Sequence, residues 1–354
     1  MKKILSIFST LMLSVLFLAV SGFTTVRAAS TALYISPNGN DNNDGLSAAK
    51  PLKTFEKAVS KATAGTTIYV SSGTYKLNVN MSGTINLAKS GANGSPITIA
   101  ASNSSNKPVL DFTGQSKSGN DNSLGFKVTG SYWTLRNIKI YNAGDNGVKI
   151  TGSAAGYNTF DYCEFDSNGD SGLQITNGAH HTTVSNCFSH DNYDQAAAGG
   201  NADGYACKDL PGVGNKFINC TAQDNSDDGW DFFNNMNAVE LQGCTATHNG
   251  YHKGSPAGNG EGFKLGGTRD ARSTGAHKLT NCTANNNRAS GYAQNHGGGA
   301  FVITKCTATG NLKNNYNFPE QPISGKITFT DCYSYNGTVS IVSGSSVITG
   351  GNIK

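Results

Sequence analysis

Four aspartates and one lysine, in three short segments, have the residue types of a metal-assisted proton-transfer site. The residues are Asp203 in NADGYACK, Asp227, Asp228 and Asp231 in NSDDGWDFF, and Lys264 in GEGFKLGG. Carboxylates that are brought close together repel one another, so such a group needs a compensating cation. Calcium, which takes about six to eight oxygen ligands in a tolerant geometry, fits this group better than magnesium, which demands a stricter octahedron.

The chemistry available to Lys264 depends on that cation. Neighbouring carboxylates alone raise the pKa of a lysine and make it a poorer base. A bound divalent cation cancels and reverses this field, so the same lysine can lose its proton nearer neutral pH. The five residues therefore predict a calcium-dependent base, provided that the fold brings them together.

A repeat along the chain predicts the fold that would do so. Cysteines recur at one aligned position, spaced 24 to 26 residues apart where no insertion intervenes. An asparagine follows five residues after each of the first six, and after the seventh, Cys332, it comes one residue earlier. The cysteines are Cys163, Cys187, Cys220, Cys244, Cys282, Cys306 and Cys332, and the asparagines are Asn168, Asn192, Asn225, Asn249, Asn287 and Asn311. A repeat of this length with alternating apolar strands and polar turns is typical of a parallel β-solenoid. Neighbouring coils lie about 4.8 Å apart, so each repeated position becomes a ladder.

Both ladders have structural interpretations. The cysteines are predicted to be stacked free thiols, because in-register parallel neighbours suit the disulfide dihedral poorly. Cys207 falls outside this ladder and is expected to be buried on another strand. The asparagines are predicted to adopt the left-handed conformation at solenoid corners and to bond to the coils above and below. An earlier segment, LRNIKIYN, aligns with Asn137 at the cysteine position and Asn142 at the asparagine position.

A second repeated unit, x-Gly-apolar-y, carries the candidate chemistry. Its x position is acidic in three consecutive coils (Asp203, Asp228, Glu261), where its y position reads Ala206, Asp231, Lys264. The apolar residue between x and y faces the core, so y is predicted to face solvent. Insertions precede Asp203 and Lys264, and another follows Lys264. They predict loops that wall a groove.

The three segments resemble the signature segments of polysaccharide lyase family 9, pectate lyases with a right-handed parallel β-helix. The resemblance covers most of the chain, from near Ala32 to the last cysteine coil. It implies that Asp203, Asp227, Asp228 and Asp231 bind calcium and that Lys264 is the catalytic base. The implied reaction is β-elimination on polygalacturonate, in which calcium acidifies the C5 proton. Arg269, Arg272 and Lys253 in the inserted loops are candidates for pairing with further uronate carboxylates, or else are ordinary solubilising charges.

Two other functions remain open. A polygalacturonase-like inverting hydrolase would use paired aspartates as acid and base, but the Gly-His-Gly and Arg-x-Lys segments of such enzymes are absent from the sequence. A non-catalytic carbohydrate-binding solenoid with structural calcium is the other alternative. The net charge of +4 favours an anionic partner, and no Lys/Arg run with interleaved aromatics indicates nucleic acid.

The ends of the chain complete the predicted organisation. Residues 1–28 are typical of a signal peptide, with Lys2 and Lys3, an apolar run and a small-residue cleavage pattern. Residues 29–354 are predicted to form a single all-β domain, a secreted monomer with no later membrane span. A helix opening at Pro51, with Leu52, Phe55, Val59 and Ala62 on one face, is predicted to cap the first coil.

Overall fold

The computed structural model describes residues 31–77, 83–117, 123–267 and 272–353, which form a parallel β-helix. Each coil contributes short strands that hydrogen-bond to the coils before and after, and the strands stack into three parallel sheets. The predicted all-β solenoid is confirmed. The predicted signal peptide and Arg269 lie outside the described residues.

Each of the three sheets is built from strands of successive coils, so that strand order follows chain order. The first sheet contains β1 (Ala32–Ile35), β2 (Thr67–Val70), β5 (Ile97–Ala101), β8 (Trp133–Arg136), β11 (Thr159–Asp161), β14 (Thr183–Ser185), β17 (Lys216–Ile218), β20 (Glu240–Gln242), β25 (Lys278–Thr280), β28 (Val302–Thr304), β31 (Ile327–Thr330) and β34 (Ser346–Thr349). The second sheet contains β3 (Thr74–Lys76), β6 (Val109–Asp111), β9 (Lys139–Tyr141), β12 (Glu164–Asp166), β15 (Phe188–His190), β18 (Thr221–Gln223), β21 (Thr245–Thr247), β26 (Thr283–Asn285), β29 (Thr307–Thr309) and β32 (Tyr333–Tyr335). The third sheet contains β4 (Ile85–Leu87), β7 (Phe126–Val128), β10 (Val148–Thr151), β13 (Leu173–Thr176), β16 (Tyr205–Cys207), β19 (Trp230–Asp231), β24 (Phe263–Lys264), β27 (Tyr292–Ala293), β30 (Asn314–Phe318) and β33 (Thr338–Ile341). An antiparallel hairpin, β22 (Tyr251–His252) and β23 (Ser255–Pro256), projects from one coil.

The apolar residues of the x-Gly-apolar-y unit form a stacked aromatic column inside the third sheet. The column runs through Tyr205, Trp230, Phe263, Tyr292 and Tyr316, all fully buried, with ring centroids 4.8 to 5.0 Å apart. These spacings match the distance between neighbouring strands, so each ring lies over the ring of the next coil. The column fixes which side chains of the third sheet point into the core and which point outward.

The cysteines pack as the sequence predicts. All eight are free and buried. Along the ladder, the backbone N–H of Cys163 donates to the Sγ of Cys187 at 3.3 Å, and Cys282 repeats this contact with Cys306 at 3.4 Å. Cys207 lies on β16 in the third sheet, away from the others. The thiols therefore act as small apolar groups of the core.

The asparagine ladder is a continuous chain of buried side-chain hydrogen bonds. The amide of Asn192 donates to the Oδ1 of Asn225 at 2.7 Å, and the amide of Asn225 donates to the Oδ1 of Asn249 at 2.9 Å. The predicted bonding between coils is confirmed. The predicted left-handed conformation is wrong for these asparagines, because the positive φ belongs to the residue just before each one, such as Asp224 or His248.

The sequence alignment of LRNIKIYN with the other repeats is also wrong by one residue. Lys139 pairs with Glu164, so Ile138 rather than Asn137 occupies the cysteine position. The backbone N–H of Ala143 donates to the Oδ1 of Asn168, which places Ala143 rather than Asn142 in the asparagine ladder. Asn137 and Asn142 instead have φ values of 54° and 58°. They occupy the left-handed positions, which asparagine tolerates better than most residues.

Helix α1 (Phe55–Lys61) begins at Phe55 rather than at Pro51. The side chain of Thr54 is the N-cap and accepts a hydrogen bond from the backbone N–H of Lys57. The predicted apolar face, with Leu52, Val59 and Ala62, is buried, and the helix packs against β1 and β4 of the first coils. The capping role stays a prediction. Within the described ranges, no helix is long and apolar enough to cross a membrane.

Candidate metal and active site

Strand register brings the predicted site residues together on the third sheet. Asp231 on β19 pairs with Ala206 on β16 and with Lys264 on β24. The x positions stack as well, since the backbone N–H of Gly204 donates to the carbonyl of Asp228 at 2.9 Å. One carboxylate oxygen from each of Asp203, Asp228 and Asp231 lies within 4.8 Å of the other two. Three of the four predicted calcium ligands therefore converge on one point.

Asp227 lies beside this group and holds the two inserted loops. Its Oδ2 accepts from the backbone N–H of Asn201 at 2.9 Å, and its Oδ1 accepts from that of Asn259 at 2.5 Å. Asn201 ends the insertion before Asp203, and Asn259 ends the insertion before Lys264. Asp227 thus ties both loops to the coil that carries Asp228 and Asp231. Its role as a calcium ligand stays a prediction.

The cluster is buried, so the prediction that the y positions face solvent is wrong. Asp231 is only 3% exposed and Lys264 only 9%. The two inserted loops also contact each other. The rings of Tyr193 and His252 stack with centroids 3.7 Å apart. At Gly199, which has a φ of 97°, a side chain would meet the Cβ of Ala257 at 2.7 Å.

Lys264 is ion-paired with two of the candidate ligands. Its Nζ lies 3.0 Å from Asp228 Oδ2 and 3.5 Å from Asp231 Oδ1. Burial alone would lower the pKa of Lys264, but the charges of Asp228 and Asp231 outweigh it and raise the pKa well above its usual value. With these pairs intact the lysine keeps its proton. A competing cation is needed before it can act as a base.

A second lysine, Lys208, joins the cluster and was missed by the sequence reasoning. Its Nζ lies 2.8 Å from Asp203 Oδ2 and 3.3 Å from Asp231 Oδ2. The signal was present in NADGYACK, because a residue two positions beyond Ala206 points to the same side of the chain. Ala206 itself pairs with Asp231 on the neighbouring strand.

The carboxylates respond differently to burial. Burial, with the charges of Asp231 and Asp227, raises the pKa of Asp203 to about 8 despite the opposing charge of Lys208. Burial and the charge of Asp227 also raise the pKa of Asp228 well above its usual value. Burial would raise the pKa of Asp231 too, but Lys264 and Lys208 outweigh it and lower the pKa. Without a further cation, Asp203 and Asp228 are buried at a cost to stability.

The donor set fits calcium. The Oε2 atom of Glu261 is buried without a hydrogen-bond partner among the described residues, and its backbone N–H donates to Asp228 Oδ1 at 2.7 Å. Among the residues that the structure describes, only Lys208 and Lys264 form ion pairs with this group of five carboxyls, so acidic side chains outnumber their cationic partners. The converging ligand atoms are all carboxylate oxygens, which hard cations such as calcium prefer.

Two of the predicted substrate-binding residues, Arg272 and Lys253, differ in whether their charged groups are already bonded to other residues. The guanidinium of Arg272 donates to the carbonyls of His296, Gly297 and Gln321, and lies 3.4 Å from Glu320 Oε2. Lys253 is exposed at the turn of the β22–β23 hairpin. Its charge adds to burial in lowering the pKa of neighbouring Lys117 and His252. Lys253 is therefore the better placed of the two for an anionic ligand.

Comparisons with known proteins agree with this geometry. Residues 33–339 match the family described as the Pel9A-like, right-handed β-helix region. The chain belongs to this Pel9A-like family. Membership confirms the resemblance to polysaccharide lyase family 9 and the right-handed parallel β-helix that it implied.

Three relatives show how far the similarity extends. Over 284 residues the chain is 38% identical to pectate lyase L of Dickeya chrysanthemi, an alignment that covers 79% of this chain and 64% of the relative. Over 343 residues it is 34% identical to pectate lyase L of Paenibacillus polymyxa (strain SC2), covering 91% and 72%. The crystal structure of pectate lyase Pel9A superposes with a TM-score of 0.83 at 34% identity, covering 90% of this chain and 78% of that one. The chain thus spans about two thirds of the Dickeya relative's length.

Proposed function

We propose that the protein is a secreted, calcium-dependent pectate lyase that cleaves α-1,4-linked polygalacturonate by β-elimination. The observation that carries the proposal is Lys264 paired at 3.0 Å with Asp228 inside a cluster of three converging carboxylates. Relatives that match most of the chain are named pectate lyases. An anionic polysaccharide also suits the mildly basic chain.

The carboxylates would hold the calcium ion. Asp203, Asp228 and Asp231 supply the converging oxygens, and Asp227 completes the predicted set from the adjoining position. When bound, calcium would neutralise the uronate carboxylate of the substrate and acidify its C5 proton. The backbone bonds to Asp203 and Asp228 fix the direction of both carboxylates before any ligand arrives.

Lys264 would be the base. Its Nζ takes the C5 proton, the electron pair of the C5–H bond becomes the C4–C5 double bond, and the C4–O glycosidic bond breaks. Water gives a proton to the leaving oxygen, and the hydroxide left behind takes the proton from the Lys264 ammonium. The water molecule is thereby regenerated, and none is consumed overall. Burial disfavours the charged ammonium and thus helps Lys264 to lose its own proton before the reaction, once the aspartates no longer hold it.

The geometry argues against the hydrolase alternative. An inverting hydrolase separates its two carboxyl groups by about 6.5–9.5 Å so that a water molecule fits between them. Here the carboxylate oxygens of Asp203, Asp228 and Asp231 lie within 4.8 Å of one another, and two lysines bind them. This arrangement favours a cation between the carboxylates rather than a nucleophilic water.

One assay separates the lyase from both alternatives. The protein is incubated with polygalacturonate in calcium or in chelator, and the ultraviolet absorbance of unsaturated uronate is followed. Calcium-dependent absorbance is expected. New reducing ends without absorbance would indicate a hydrolase, and binding without either product would indicate a carbohydrate-binding module.

A variant tests the assignment of the base. Lys264→Ala is expected to abolish turnover while calcium still raises the melting temperature, because the carboxylates remain. A Lys264→Ala variant that retains turnover would show that another group removes the proton.

A further inference from the structure

The two carboxylate oxygens of Asp231 are each paired with a different lysine. Lys264 binds Asp231 Oδ1 at 3.5 Å, and Lys208 binds Asp231 Oδ2 at 3.3 Å. The two side chains reach Asp231 from opposite neighbours in the stack, since β16 and β24 flank β19. Asp231 therefore has a charged partner on each side.

Lys208 also fixes Asp203, which Lys264 does not contact as an ion pair. Asp203 Oδ2 accepts from Lys208 at 2.8 Å and from the hydroxyl of Ser171 at 3.1 Å, while its Oδ1 accepts from the backbone N–H of Asp228 at 3.2 Å. The Asp203 carboxylate is fully buried. Of these three donors only Lys208 brings a charge, and it joins Asp203 to Asp231 across adjacent coils.

We infer that Lys208 is a positioning residue that serves as the fixed counter-ion of the carboxylate cluster and lowers its affinity for calcium. This inference rests on the calcium site proposed above. An ammonium group within hydrogen-bond distance of two ligands repels a divalent cation that binds to the same ligands. It also keeps Asp203 and Asp231 together while no cation is bound.

The two lysines then have separate tasks. Because Lys208 permanently compensates part of the buried negative charge, Lys264 need not remain the cluster's counter-ion. Lys264 can release Asp228 and Asp231 to a cation and leave its Nζ free for a proton. A site without Lys208 would bind calcium more tightly but would depend on calcium for its stability.

The test compares Lys208→Met and Lys208→Arg with a matched control. The control is Lys278→Met, since Lys278 also pairs with a carboxylate, that of Glu240 at 3.5 Å, but on the first sheet and away from the cluster. Calcium affinity is measured by titration calorimetry on the full chain. The melting temperature is measured in chelator and in saturating calcium.

Lys208→Met is expected to melt at a lower temperature than wild type in chelator and to bind calcium roughly tenfold or more tightly. Calcium should consequently raise its melting temperature by more than it raises that of wild type. Lys208→Arg should keep the melting temperature in chelator and the calcium affinity close to those of wild type, because arginine keeps the charge. Lys278→Met, which removes an exposed ion pair, should leave both the melting temperature and the calcium affinity nearly unchanged.

Unchanged or weaker calcium binding by folded Lys208→Met would overturn the inference. Should that variant fail to fold in chelator, Lys208→Gln can still donate a hydrogen bond to Asp203 and is measured instead, with the same expected tightening. A wild-type protein that shows no calcium binding would refute the calcium site itself, and the inference with it. A wild-type protein that binds calcium, with no tightening in either variant, would refute the role of Lys208 alone.

Discussion

Replacing Asp203 with asparagine is expected to stabilise the calcium-free protein at neutral pH, although it removes a predicted calcium ligand. Burial raises the pKa of Asp203 from 3.8 to about 8. The folded state therefore holds a proton on this carboxyl in a pH range where the unfolded chain has released it. For an acid with a raised folded pKa, stability is highest below the unfolded pKa and falls as pH rises toward the folded pKa.

The size of the effect follows from that interval. Between about pH 4 and pH 7, roughly three pH units at about 1.4 kcal/mol each give a loss of about 4 kcal/mol in the free energy of unfolding. Asparagine removes this loss and keeps an oxygen that can accept from the backbone N–H of Asp228. The attraction of Lys208 already contributes to the pKa of Asp203 and is not subtracted again, so the net gain is about 4 kcal/mol.

Urea unfolding, followed by circular dichroism at several values between about pH 4 and pH 8, measures the effect in calcium-free buffer. The wild-type free energy of unfolding should fall with rising pH, and that of Asp203→Asn should fall less. Saturating calcium should reverse the order of the two proteins, because the variant lacks a ligand.

Asp41→Asn is the control for this comparison. Asp41 accepts from the backbone N–H groups of Lys53 and Thr54, and although burial opposes them these bonds lower its pKa. That variant should be destabilised at neutral pH. An Asp203→Asn protein that is less stable than wild type in chelator, with an unchanged dependence on pH, would refute the reasoning.

Two further predictions concern the ladders inside the solenoid. Asn225→Ala interrupts the amide chain between Asn192 and Asn249 and should lower the free energy of unfolding by about 2–4 kcal/mol, whereas Asn38→Ala at an exposed position should change it little. A loss as small as that of the exposed control would show that the chain of amides contributes little. Thiol titration without reductant should find no reactive cysteine in the folded protein and eight after denaturation, and fewer than eight would reveal a disulfide.

The repeat in the sequence predicts the fold well because equivalent positions of successive repeats pair with each other in the sheets. Once DGWD and EGFK are aligned on the x-Gly-apolar-y unit, the pairing of Asp231 with Lys264 follows, and the structure confirms it. The alignment slips by one residue only at LRNIKIYN, where asparagines fill the left-handed positions that other coils give to residues such as Asp224. Residue identity alone does not distinguish these two neighbouring positions.

The repeat did not predict the solvent exposure of the site. Alternation directs Asp231 and Lys264 away from the apolar column, but it does not determine whether that side meets solvent, and both side chains are buried. The stacking of Tyr193 on His252 joins two insertions that are far apart in sequence. The repeat did not single out Lys208, because this residue falls outside the x-Gly-apolar-y unit, although its Nζ pairs with Asp203 and Asp231.

The placement of the cluster in the stack bears on how the protein melts. Asp203, Asp228 and Lys264 come from three consecutive coils in the interior of a series in which each coil contacts chiefly its two neighbours. In such quasi-one-dimensional proteins, opening can proceed coil by coil from either end. Fraying of the first or last coils would therefore leave the cluster assembled. Loss of overall β-structure and loss of the site on heating are then separate events, and the site, tied by Asp227 to both inserted loops, is expected to melt last.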